Sequence, residues 1–270
     1  MTLPRRRWTE MTTEEFRNGD VATWIAVLPV AAVEQHGPHL PVGVDAMLGD
    51  GYLERALALV PEDLPVTVLP MQTIGASAEH LAFPGTLTLS AETTIRAWTE
   101  IGASVARAGV RKLILLNSHG GNTSALDVVA RNLRIAHGML AVVTSWHRLG
   151  YPAGLFSADE LRHGIHGGEI ETSVIRALRP ELVQMDRAEH FRSTTYAMER
   201  DFAHLRASTP AGFGWMTQDL HLSGAVGDAA SGTAEAGEAA LDHGAAAFVD
   251  LLRDVRGFAL DRLAKGPLDR

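Results

Sequence analysis

The chain contains no cysteine, which removes disulfides, thiolate zinc sites and cysteine nucleophiles together. Any metal must therefore be held by nitrogen and oxygen. No apolar run approaches the roughly 20 residues that a membrane helix needs, so no membrane partner is expected. Apart from Arg5, Arg6 and Arg7 there is no basic block, and the formal net charge is −8. Such a balance offers no face to a phosphate backbone, and nucleic acid is not expected as a partner. The residues after those arginines, WTEMTTEEF, supply no apolar segment of an export signal, so the arginines read as a solvated tail and the chain as cytoplasmic. There is neither an internal repeat nor a linker long enough to separate domains. A chain of 270 residues with 46% hydrophobic and 21% charged residues is then expected to form one domain, residues 1–270, with a substantial core. Arginine far outnumbers lysine and alanine is abundant, a usage that points to a GC-rich bacterial genome.

Four short aliphatic runs predict strands: Trp24–Val30, Val66–Pro70, Lys112–Asn117 and Leu140–Trp146. Their near-continuous apolar character suits parallel strands covered on both faces. Between them, helical spacing runs over Ala46–Val60, Ala91–Ala108 and Thr123–His137, with Ser90 as the start signal of the second helix. Strand–helix alternation of this kind predicts an α/β fold: a mostly parallel central sheet flanked by helices, three layers in all. Beyond residue 150 the pattern loosens. His163–Leu178 reads as a glycine turn entering a helix, and the alanine-rich stretch Thr233–Val255 reads as another helix.

In open α/β sheets, ligands gather beyond the carboxyl ends of the strands, and three polar clusters fall there. VEQHGPHLPVGVD (Val33–Asp45) follows the first strand, NSHGGN (Asn117–Asn122) ends the third, and Trp146-His147 ends the fourth. Glu34 and His36, two apart in extended backbone, point the same way. A lone Glu-x-His is ordinarily an exposed polar pair; here Asp45 can rejoin it across a glycine- and proline-bearing loop. His119 sits at a strand end between glycines that admit close backbone approach, and Asn122 is placed to cap the next helix. A phosphate cradle is the competing reading of that loop, but neither the dinucleotide fingerprint nor the P-loop with its lysine is present. His166 and Glu169, three apart at a helix start, share a face, whereas Glu171 lies about 200° round from Glu169. Glu34, His36, Asp45, His119 and Glu169 thus offer three carboxylates and two imidazoles. This set suits two divalent cations sharing a carboxylate, with hydroxide available near neutral pH as nucleophile. Ser77, in Gly-x-Ser-x-Glu, lacks the closing glycine and the strand-to-helix turn of a nucleophile elbow. Trp146 and His147 either wall a substrate pocket or complete the core.

EQHGPHLP…D, Gly75–Thr86 (GASAEHLAFPGT), NSHGGN, HGGEIETS and GAVGDAASGTAEAGE, in that order, resemble the creatininase family of metal-dependent amidohydrolases over about residues 25–250. The resemblance implies a single α/β domain holding two divalent ions per chain, zinc foremost and manganese or iron as alternatives. It also implies a homo-oligomer, hexameric in much of the family. Transferred by position, Glu34, His36, Asp45 and His119 match metal ligands with Asp45 as the bridge, and His166 matches the catalytic histidine that protonates the leaving nitrogen. Glu79 and His80 match a loop lining the substrate pocket, with Trp146 as a further wall. Creatinine-hydrolysing members carry a ligand glutamate two residues after the histidine matched by His119, where this chain has Gly121. A second branch, with deformylases and a peptide-cleaving maturase of the mycofactocin type, shares His-Gly-Gly-Asn and takes its last ligand from the stretch after His166; Glu169 would fill that place.

The expected activity is therefore hydrolysis of a C–N bond in a small amide, formamide or cyclic amide. A maturase trimming a peptide precursor, or a non-catalytic metal-binding scaffold, are the alternatives.

Overall fold

The computed structural model describes residues 3–264 and 266. Its centre is a four-stranded parallel sheet of β1 (Ile25–Val30), β2 (Val66–Val68), β3 (Lys112–Asn117) and β4 (Leu140–Ser145), in the order β2-β1-β3-β4. The third strand and the helix after it match the expected ranges; the ends of the others move by one or two residues. β2 ends before Pro70, and Trp24 and Trp146 fall just outside their strands.

The crossovers are helical. α1 (Thr13–Asn18) precedes the sheet, closed at its start by a capping box between Thr12 and Glu15,. α2 (Val44–Leu59) joins β1 to β2, α3 (Ala91–Arg107) joins β2 to β3, and α4 (Thr123–His137) joins β3 to β4. Ser90 starts α3 as expected, its hydroxyl accepting the Thr93 amide at 3.2 Å. Downstream lie α5 (Ala158–His163), α6 (Glu169–Leu178), α7 (Thr195–Asp201), α8 (Thr217–Leu220) and the long α9 (Ala234–Gly257), the last capped by Thr233.

Alternation along the strands divides the core in two. Ile25 and Val27 of β1, with Ile114 and Leu116 of β3, pack against α2, α6 and α9. Ala26, Leu28 and Val30, with Leu113 and Leu115, pack against α3 and α4. Successive residues of a strand face opposite sides, so strands apolar throughout require helices on both faces, and the sheet is the middle of three layers. Two small pairings lie outside it: β5 (His190–Phe191) antiparallel to β8 (Gly227–Asp228), and β6 (Leu205–Arg206) beside β7 (Ala211–Gly212). Among the described residues no helix is long and apolar enough to cross a membrane.

Strand order fixes where chemistry can occur. The chain passes from β1 outward to β2, then crosses back over β1 to β3, so the strand order reverses between β1 and β3. There Val30, Asn117 and Ser145 stand in one row of the register, and the loops that leave these strand ends diverge to open a crevice.

Candidate metal centre

Beyond Val30, Glu34, Gln35 and His36 are buried. Glu34 donates its amide to the Val42 carbonyl at 2.9 Å, and Gly37, at φ +74°, turns the loop back towards Gly43 and α2. Asp45 is thereby the second residue of α2, where the positive end of the helix dipole favours a carboxylate. His119 follows β3 in extended backbone, its amide held by the Asn117 side chain at 3.1 Å. Asn122 does not cap α4 as expected. It donates to the Ala31 carbonyl at 3.0 Å and accepts the Ala76 amide at 2.9 Å, tying three loops together beneath the crevice.

The hydrogen bonds fix the imidazole tautomers, because a nitrogen facing a carbonyl must carry the proton. His36 donates through Nδ1 to the Glu34 carbonyl at 2.9 Å, and His119 through Nε2 to the Ala76 carbonyl at 2.9 Å. His166 donates through Nε2 to the Gln35 carbonyl. In each neutral ring the other nitrogen presents a bare lone pair to carboxylate oxygens. His36 Nε2 lies 3.6 Å from Asp45 Oδ1 and 3.8 Å from Glu171 Oε2. His119 Nδ1 lies 3.1 Å from Glu34 Oε1 and 3.7 Å from Asp45 Oδ2, and His166 Nδ1 lies 3.6 Å from Glu34 Oε1. Lone pair against lone pair is repulsive unless positive charge lies between. Both Glu34 carboxylate oxygens, Asp45 Oδ2 and His36 Nε2 are buried without a hydrogen-bond partner, at a site where such omissions cost stability. The donor set fits a metal: Glu34, Asp45 and His119 form one group, and His36, Asp45 and Glu171 a second, the ligand atoms within each lying within 4.8 Å of one another. Glu34, His36 and His166 form a third such group.

Protons are the other source of positive charge. Burial opposes ionisation of Glu34, but the imidazoles of His119, His166 and His36 hold it below the usual carboxylate range. Burial and the Glu34 charge push Asp45 up to about 7. For His36 burial acts downwards, yet Asp45, Glu171 and Glu34 outweigh it and raise the ring to about 9; His119 is likewise raised against its burial by Glu34, Glu79 and Asp45. His166 moves the other way, to about 4, through burial and the neighbouring His36.

The helical face expected to join His166 and Glu169 is not formed. Their phase assumed that the helix includes His166, but α6 begins at Glu169. Gly167 takes φ +60°, a conformation that disfavours side-chain-bearing residues, and Gly168 is extended,. His166 is instead held by a two-way backbone pairing with Val226, so it shares no helical face with Glu169. The Glu169 carboxylate sits near Glu160 and Asp228, and burial together with these charges raises it to about 7. Glu169 belongs to none of the ligand groups, whereas Glu171 accepts the Gly167 amide and faces His36. The signal was present in the sequence: the Gly-Gly pair breaks the helix, so the register counts from Glu169 and not from His166.

A cavity of about 430 Å³ adjoins this centre, lined by His119, His166 and Glu171 and walled by Tyr52, Trp146 and Trp215. Trp146 both walls the cavity and completes the core, stacked on Tyr52 at 4.8 Å and edge-on to Phe248. His147 and Arg148 also reach the wall. Glu79 and His80, expected in the pocket, are absent from its lining. His80 Nδ1 accepts from the Gln35 side chain at 2.7 Å, and its Nε2 lies 3.3 Å from Glu34 Oε1. Gln35 is itself anchored by the Gly37 amide and the Gly224 carbonyl. Nothing in the local pattern near residue 35 announces a partner almost two hundred positions away. Ser77 lies 3.4 Å from His119 Nε2, but that nitrogen holds its proton towards Ala76, so it cannot serve the hydroxyl as a base.

The comparisons with known proteins agree with this architecture. The family model for creatininase, creatinine amidohydrolase, matches residues 9–252. Creatinine amidohydrolase of Pseudomonas putida is 32% identical over 219 residues, covering 75% of this chain and 83% of that protein. The mycofactocin precursor peptide peptidase of Mycobacterium ulcerans is 35% identical over 172 residues, which cover 62% of this chain; the match spans 63% of the peptidase's length. Among solved structures, a creatinine amidohydrolase superposes with TM-score 0.73 at 26% identity, covering 95% of this chain and 100% of that one. A mutant creatininase complexed with creatine gives 0.72 at 27%, covering 92% and 98%. A shared parallel sheet, a buried cluster of carboxylates and imidazoles at its reversal point, and a family match over nearly the whole length lead to one conclusion: the chain belongs to the creatininase family.

Proposed function

We propose that this protein is a metal-dependent hydrolase of a C–N bond in a small amide, formamide or cyclic amide, using two divalent cations. The observation that carries the reading is the pair of ligand groups meeting at Asp45, together with the unpartnered oxygens and nitrogen they enclose. Glu34, Asp45 and His119 would hold one ion; His36, Asp45 and Glu171 would hold the other. A donor set of nitrogen and oxygen alone suits zinc, and also manganese or iron. Once bound, such ions make water acidic enough to supply hydroxide near neutral pH and polarise a carbonyl.

The chain's own groups supply the rest. His166 lines the cavity beside Glu34, with Nε2 committed to Gln35 and Nδ1 bare. Its lowered pKa makes it an acceptor before it is a donor. It takes the proton of the attacking water on Nδ1 and then returns that proton to the departing nitrogen, leaving the ring neutral at the end. The aromatic walls, Trp146 and Trp215, enclose the substrate and exclude bulk water. A single domain, residues 1–270, assembling into a homo-oligomer is the form in which we expect this activity. A peptide substrate is the second reading, favoured by the 35% identity to the mycofactocin peptidase.

Two measurements test the proposal. Elemental analysis of protein purified without chelator should find close to two divalent ions per chain. A panel holding creatinine, formamides and short peptides should show C–N hydrolysis that is abolished by chelation and restored by zinc or manganese. Absence of bound metal, with turnover undiminished after exhaustive chelation, would overturn the metal-dependent reading; peptide turnover alone would select the second one.

Metal uptake should also depend steeply on pH. Without metal at pH 6, His36, raised to about 9, carries a proton that ligation must expel,. The sign follows: acid adds competing protons, so affinity falls as pH falls. Between pH 8 and pH 6, one displaced proton weakens the apparent zinc affinity about 100-fold, and more if Asp45 also releases one. A chromophoric chelator titrated at both values measures this, and equal affinities would contradict the assignment of His36.

A further inference from the structure

Resting on the metal-dependent reading above, we propose that Glu79 is a positioning residue for His119, its carboxylate seated in space that the bare Gly121 leaves open. The outer nitrogen of His119 faces three oxygens: the Ala76 carbonyl at 2.9 Å, the Ser77 hydroxyl at 3.4 Å and Glu79 Oε1 at 3.5 Å. The carbonyl fixes the tautomer. The carboxylate adds negative charge beside the same N–H, which strengthens the opposite nitrogen as an electron donor towards a cation between Glu34 and Asp45. Histidine ligands backed in this way by a carboxylate are held in one orientation and bind metal more tightly.

The surroundings show a built arrangement. Ala76 is pinned through its amide by Asn122 at 2.9 Å, and the Ser77 amide donates to Thr88 at 2.8 Å. The Glu79 carbonyl accepts the Thr217 hydroxyl at 3.0 Å, so the turn carrying Glu79 is fastened on both sides. The Ala76 carbonyl, the Glu79 carboxylate and His119 itself converge on the bare face of Gly121. A Cβ there would stand 2.4 Å from Glu79 Oε1, 2.4 Å from His119 Nε2 and 2.6 Å from the Ala76 carbonyl. A side chain at position 121 would collide with the Ala76 backbone and the His119 ring as well as with the Glu79 carboxylate, so the bare Gly121 leaves room for all three. Glu79 is also absent from the cavity lining, which separates this role from substrate binding.

The test is zinc affinity of the intact protein, measured by competition with a chromophoric chelator for wild type, Glu79→Gln and Glu79→Leu. Leucine keeps the bulk without polar atoms, so it tests the charge without opening a hole should the glutamine variant fold poorly. We expect one of the two ions to bind about 10–100-fold more weakly in both variants. The other ion, resting on His36 and Glu171, should keep its affinity, and the Michaelis constant for any substrate found should stay within about twofold. Two ions held with wild-type affinity in both variants would overturn this role, whatever happens to turnover. A wild-type protein that binds no zinc would instead overturn the underlying metal-dependent reading.

Discussion

Replacing Asp45 with asparagine should empty both metal positions and remove activity, the largest functional loss expected from any single substitution in this protein. Asp45 is the one residue common to the two ligand groups that contain Glu34–His119 and His36–Glu171. A neutral amide offers one oxygen where the carboxylate offers two, and its NH2 group cannot bind a cation. Turnover should fall by more than the roughly 10–100-fold typical of losing a hydrogen-bond partner behind a ligand, and elemental analysis should find far fewer than two ions per chain. Metal-free stability should move the opposite way. The folded pKa of Asp45 is raised to about 7 by burial and by Glu34, so its ionised form costs stability once the pH exceeds its ordinary carboxylate value, and the full cost is present above the folded pKa. At pH 8 the metal-free asparagine variant should therefore unfold at a temperature no lower than metal-free wild type. Metal content and activity both unchanged in Asp45→Asn would sink the bridging assignment.

How much of this could be read from the chain depends on where each signal resides. Lys112–Asn117 and Thr123–His137 were legible to the residue because an unbroken aliphatic run and a clean helical repeat need no distant partner to define them. The three layers followed from strands apolar on both faces. Glu34, His36 and His119 come together because they follow the ends of β1 and β3, with Asp45 added by the start of α2, and the observed register sets Val30 beside Asn117 where the strand order reverses. What stayed hidden depends on long-range closure. Residues 205–215, which carry Ala207, Ser208 and Trp215 to the cavity wall, have no periodicity that marks them as structure. Asn122 looked like a helix cap because its sequence position suits one, yet its side chain is claimed by Ala31 and Ala76, whose proximity only the fold creates. Glu79 and His80 were placed in the pocket by resemblance. Here they stand against His119 and Glu34, with Gly121 leaving the room that Glu79 takes.

The second large effect concerns the two glutamates of α6. Glu171→Gln should lose one metal ion and most activity, whereas Glu169→Gln should keep both ions and turn over within a few-fold of wild type. Helical phase counted from His166 leads to the opposite outcome, so the pair discriminates between the sequence-based register and the folded one. The structural argument begins at Gly167, whose φ of +60° ends any helix reaching back to His166. Counting restarts at Glu169, and one residue beyond Ile170 the Glu171 side chain turns to the crevice, accepts the Gly167 amide and approaches His36 Nε2 at 3.8 Å. Glu169 faces Glu160 instead, whose buried carboxylate accepts the Glu169 amide at 2.7 Å and the Asp228 amide at 3.0 Å. Burial, with the charges of Glu160 and Asp228, raises the Glu169 pKa to about 7; a glutamine there removes that cost and should leave the fold at least as stable at pH 8. Glutamine at 171 retains an oxygen for the Gly167 amide, so the helix start survives while the charge facing the cation is lost. Partial recovery of Glu171→Gln activity in excess zinc or manganese would mark the defect as one of metal binding. Elemental analysis of both variants decides the matter: metal halved by Glu169→Gln and untouched by Glu171→Gln would restore the helical phase counted from His166 and refute the ligand role of Glu171.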